Sequence, residues 1–138
     1  MRVRRRNEAG ASAVEMAIVA PSFLLFIFAI IEVALWMHAR DVALAAAREG
    51  VAQLRTVNPE DAPSAWQSAV EATAVDSAVR LGDVQSPSAQ STYDEGSARV
   101  TVTVTGDVID LIPGWHLTVA GSASGLIEDF QPDLEPPS

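Results

Sequence analysis

The chain has 138 residues and a formal net charge of −9, a length that suits one small domain with accessory segments. It holds no cysteine and two histidines, which excludes a disulfide framework and a thiolate metal site and leaves little material for a histidine-based one. After Met37, five arginines face fifteen carboxylates, so the bulk of the chain lacks the basic footprint that nucleic acid requires.

The N-terminus is different. Arg2, Arg4, Arg5 and Arg6 lead into an apolar run, and no ionisable residue occurs from Met16 to Ile31. With Val33 to Trp36 the run is about 20 residues long, interrupted only by Glu32, and reaches about 30 Å, the thickness of a bilayer's hydrocarbon core. The pattern predicts a basic cytoplasmic leader over 1–10 and a single transmembrane helix over 11–37, with the remainder outside the cytoplasm in the sense of the positive-inside rule. A cleaved secretory signal shares the basic start, but its apolar core is shorter. The nearest small-x-small site, Ala43-Leu44-Ala45, lies beyond Arg40 and Asp41.

A carboxylate in such a helix is expensive and usually has a partner. By position alone Glu15 is an interfacial glutamate near the entrance of the span. Gly10 precedes Ala11, and Glu15 is the fifth residue counted from Ala11. A basic leader, a glycine and a glutamate at that spacing resemble the type IV pilin signal. The resemblance implies cleavage after Gly10 by a prepilin peptidase and a free amine on Ala11. It also implies pairing of Glu15 with the amine of a neighbouring subunit. A close opposite charge offsets much of the cost of burying Glu15, and a slip by one subunit would leave both charges unpaired, so Glu15 would set register. Ala13 and Ala17 leave a small-residue surface for a neighbouring helix, and Pro21 removes one backbone donor.

A more specific resemblance covers the first third of the chain. Ser12-Ala13-Val14-Glu15, Pro21, Ile31-Glu32 and Ala46-Ala47-Arg48-Glu49-Gly50 stand in the order and spacing of the TadE-like family, pseudopilins of the tight-adherence or Flp type IV pilus system. Membership implies a bacterial membrane protein that works beside other pilins and pilus assembly proteins. Ala46, Ala47, Arg48, Glu49 and Gly50 are expected to be a packing element. Glu32 lies about 25 Å along the helix from Glu15 and roughly 100° round it. It is read either as an interfacial carboxylate or as a charge that contacts a transmembrane partner.

Helical character continues past Met37, with Ala39, Ala43, Ala47 and Gly50 at spacings of three or four, and high alanine content supports it. Residues 38–57 are therefore expected to extend the membrane helix as a stalk, and 58–130 to form a small α+β headpiece. Within the headpiece, Asn58 suits an N-cap and Pro59 the first helical position. A second helix then runs to about Arg80, with Trp66, Val70, Thr73 and Ser77 on one face, and Gly82 ends it. QSPSAQSTYDEGS reads as a loop. ARVTVTVTGDV alternates as a strand, and WHLTVAGSASGLI reads as its hairpin partner, with a turn over 110–114. Residues 131–138 read as a disordered acidic tail.

No enzyme and no cofactor are expected. Asp107, Asp110, Glu128 and Asp129 lack the loop spacing of a calcium site and read as a solvated acidic surface. No Gly-rich phosphate loop follows a strand, and no nucleophile–base pair suggests itself. The expected protein is a single-pass pseudopilin or minor pilin that acts by helix packing in pilus assembly. The alternative is a membrane-anchored extracytoplasmic accessory or binding protein that enters no filament.

Overall fold

The structure is a computed structural model that describes residues 5–55 and 65–126. Helix α1 runs unbroken from Arg5 to Ala52, with Pro21 inside it, and a short 3-10 turn over Gln53–Arg55 finishes it. At 1.5 Å per residue α1 is about 72 Å long. The Ser22 hydroxyl, next to the proline, donates to the Ile18 carbonyl at 3.0 Å. Helix α2 spans Ala65–Leu81. Strands β1 (Gln85–Asp94), β2 (Arg99–Asp107) and β3 (Thr118–Leu126) form one antiparallel sheet in the order β1-β2-β3. The molecule is therefore α+β, a long apolar helix followed by a second helix and a three-stranded sheet.

The two helices share one face of the sheet, α1 against β2 and β3 and α2 against β1. The alternation in β2 dictates which face. Val100, Val102 and Val104 are fully buried toward the helices, each contributing about 1.5–3 kcal/mol by leaving water. Thr101, Thr103 and Thr105 point away, where Thr103 pairs with the Ser122 hydroxyl at 3.0 Å and Thr105 with Ser88 at 2.8 Å. From α2, Trp66, Val70, Ala74, Ser77 and Ala78 are buried. Trp66 meets Tyr93 edge-on, with ring centroids 6.2 Å apart. Thr73, expected on the same face, is half-buried and bonds back to the Ala69 carbonyl. Gly82 ends the helix with φ 77°, and its N–H returns to the Ala78 carbonyl, the left-handed cap that glycine adopts without a Cβ penalty.

The stretch read as a loop from its Ser, Gln and Pro content is largely strand β1. Periodicity missed it because a polar edge strand carries no apolar alternation. Pro87 fits there because an edge strand tolerates a missing N–H, and the register with β2 shifts between Gln85 and Ser88. The exposed edge is partly covered from α2: Glu71 Oε1 accepts the Ser91 N–H at 2.7 Å and the Ser91 hydroxyl at 2.8 Å. Such capping blunts a strand edge that would otherwise pair with another chain. Trp115, expected to extend β3, precedes the strand and is exposed. The expected helix start at Asn58 and Pro59 and the acidic tail over 131–138 lie outside the described residues, as do Glu128 and Asp129.

Candidate functional site

Helix α1 changes character at Glu32. On its N-terminal side the large apolar residues are exposed, among them Ile18, Phe23, Phe26 and Ile31. Beyond it, Ala39, Val42, Ala43, Ala46, Ala47 and Gly50 are buried at helical spacing beneath the sheet. Among the described residues α1 is the one helix long and apolar enough to cross a membrane. Its apolar half has no covering among the described residues, and its small-residue half forms part of the core of the headpiece.

That second half explains its alanines and glycine. A Cβ on Gly50 would stand 2.9 Å from the Cβ of Ala74 and 3.2 Å from the Val70 carbonyl oxygen, so α1 and α2 meet almost backbone to backbone. On the other side, a Cβ on Gly121 would run into the backbone of Ala43 and Leu44, and one on Gly125 into Val51. Of the five residues in the Ala-Ala-Arg-Glu-Gly stretch, Ala46, Ala47 and Gly50 are buried in this seam, while Arg48 and Glu49 are exposed. The glycines of β3 that complete the seam were not singled out by sequence. Their only signal is small residues at every second position facing the helix.

The two glutamates of α1 have opposite environments. Glu15 is exposed, and among the described residues no donor reaches it. Gly10 and Ala11 lie in the first turns of α1. Of the expected topology signal, Arg2 and Arg4 lie outside the described residues, while Arg5 and Arg6 open α1. Glu32 is fully buried. Its Oε2 accepts the Leu111 backbone N–H at 2.9 Å, and its Oε1 has no hydrogen-bond partner among the described residues. Glu32 is therefore enclosed by its own chain in this structure. Its donor comes from its own chain, 79 residues away. One turn further on, the Trp36 indole N–H donates to the Thr118 carbonyl at 3.1 Å. Together these bonds fix both the β2–β3 loop and the start of β3 to α1.

That loop is itself ordered by local chemistry. Val108 N–H to the Leu117 carbonyl closes it at 2.9 Å, and Trp115 N–H to the Ile112 carbonyl makes a tight turn at 3.1 Å. Pro113 and Gly114 occupy its centre, with Gly114 at φ 90°, as a type II turn requires. Asp110 and His116 pair across the loop at 2.9 Å. Asp107, Asp110 and the other acids form no cluster of three or more metal-ligating side chains among the described residues.

The model of the TadE-like protein family matches residues 10–52, ending where α1 ends. No curated protein and no solved structure matches the chain. The match falls on the segment that carries Glu15, Pro21, Glu32 and the Ala-Ala-Arg-Glu-Gly stretch, so the first third of this chain is similar to the TadE-like family.

Proposed function

We propose that the protein is a single-pass membrane pseudopilin, or minor pilin-like subunit, that acts in assembly of a tight-adherence pilus. The observation that carries this reading is the coincidence of the TadE-like match, residues 10–52, with a helix whose apolar half is uncovered and whose other half is the spine of a small headpiece. A soluble protein has no use for so long an exposed apolar surface, whereas a bilayer or a bundle of like helices covers it.

In this reading the arginine-rich leader stays in the cytoplasm and the headpiece lies outside it, in the cell membrane's outward direction. A prepilin peptidase cleaves after Gly10. Glu15, exposed and without a donor among the described residues, then receives the Ala11 amine of a neighbouring pilin or pseudopilin. The activity is structural, by insertion and lateral helix packing, and needs no cofactor.

The test uses the protein in its native membrane. Mass spectrometry of the mature protein is expected to show a chain beginning at Ala11. Glu15→Gln is expected to insert normally and to fail in co-assembly with partner pilins. A chain that still begins at Met1, together with normal filaments from the Glu15→Gln strain, would overturn the reading in favour of an anchored accessory protein.

A further inference from the structure

We infer that the β2–β3 loop is a second membrane-contacting element, which lays Ile109, Leu111 and Trp115 into the interfacial layer of the bilayer that α1 spans. The inference rests on the reading of α1 as a membrane helix and adds to it a lipid contact made by the headpiece.

Three observations place the loop. The first is its height along α1. The bond from Leu111 N–H to Glu32 Oε2 holds the loop level with residue 32. The apolar run that covers about 30 Å, the hydrocarbon thickness, ends at Trp36, about one helical turn past Glu32. The outer boundary of the hydrocarbon therefore falls within about one turn of the loop. The second is its surface. Ile109 is 47% exposed, Leu111 39% and Trp115 47%, so three large apolar side chains of one short loop each leave a substantial apolar surface open among the described residues. On α1 at the same height, Ile30, Ile31, Val33 and Met37 are exposed as well. The third is the chemistry of the residues. Tryptophan has an apolar body and a polar N–H and concentrates at membrane–water interfaces. The Asp110–His116 pair gives the same loop a polar element suited to the headgroup layer.

This placement also accounts for Glu32. A carboxylate at that height on a bare helix would face lipid headgroups or hydrocarbon. Here the loop lies over it, supplies a backbone donor, and presents apolar side chains outward in its place.

The chain has no cysteine, so single cysteines can be labelled in the full-length protein with an environment-sensitive fluorophore. The protein is reconstituted in phosphatidylcholine–phosphatidylglycerol vesicles, with and without a nitroxide-bearing lipid that quenches only by contact in the bilayer. Leu111→Cys and Trp115→Cys report the loop, Leu25→Cys the helix, and Glu95→Cys the distal turn of the sheet. The expected result is a blue-shifted emission and lipid-borne quenching at positions 25, 111 and 115, with neither at position 95. If position 25 is quenched while 111 and 115 behave like 95, the loop inference falls and the spanning helix stands. If position 25 also escapes quenching, both fall.

Discussion

Gly121 of β3 lies so close to the backbone of Leu44 in α1 that no side chain fits between strand and helix. The helix can sit this low because Ala43, Ala46 and Ala47 are small where they face the sheet and are fully buried there. Overpacking such a site forces backbone shifts that cost about 1–3 kcal/mol. Gly121→Ala is expected to lower the unfolding temperature of the detergent-solubilised protein. Its neighbour Ser122 points to the exposed face, where its hydroxyl pairs with Thr103, and Ser122→Ala is expected to lower the unfolding temperature less than Gly121→Ala. Equal effects from the two would show that the seam is looser than its geometry.

Glu32 separates two costs that are usually confounded. Glu32→Ala leaves the Leu111 N–H without an acceptor and opens a cavity, and is expected to destabilise by about 1–3 kcal/mol for the lost partner alone. Glu32→Gln keeps an oxygen for Leu111 and removes a buried carboxylate whose second oxygen has no partner among the described residues. Removing a poorly compensated buried charge is often neutral or favourable, so Gln is expected to match or exceed the native stability. Thermal unfolding of both variants, with amide exchange followed at Leu111, checks the order. A Gln variant as unstable as Ala would place the weight on the charge itself.

These two sites mark where sequence reasoning reached and where it stopped. Strand β2 was legible because Val100, Val102 and Val104 alternate with threonines, and α1 because its composition changes so sharply after the arginines. The packing face of α2 was legible from Trp66 and Val70. Strand β1 was not, since Ser and Gln on an edge strand carry no periodic apolar signal and Pro87 argues against a strand. The partner of Glu32 was beyond sequence reach for another reason. Leu111 meets it through a backbone N–H, which every residue but proline possesses, so the side-chain pattern holds no trace of the bond. Gly121 and Gly125 have meaning only once β3 is laid on α1.

The capped edge of the sheet offers a third expectation. Glu71→Ala removes the acceptor of both the Ser91 N–H and the Ser91 hydroxyl. Hydrogen bonds to a charged group contribute about 1.5–3 kcal/mol, and Glu71 is half-buried between helix and strand. The variant is expected to unfold at a lower temperature and to exchange the Ser91 amide faster than the amides of β2. An unchanged exchange rate at Ser91 would show that the cap does not protect the edge.

A fourth concerns pH. The Ser97 hydroxyl and then the Gly96 N–H, both donating to Asp94 across the β1–β2 turn, hold its carboxyl below the ordinary aspartate value of 3.8, with a smaller contribution from Arg99. A carboxylate depressed on folding stabilises the native state above its unfolded value, and that contribution is lost as the pH falls through the depressed one. An NMR titration is expected to place the Asp94 midpoint below 3.8, and Ser97→Ala is expected to move it upward. A midpoint unaffected by Ser97→Ala would remove the hydroxyl as the main cause.

The unbroken course of α1 from Arg5 to Ala52 has a mechanical consequence. The same hydrogen-bonded rod is the apolar shaft at one end and the spine of the sheet at the other, with neither a glycine hinge nor a loop between Glu32 and Ala39. A push, pull or twist applied to the shaft passes directly into the headpiece, so the two ends must move together.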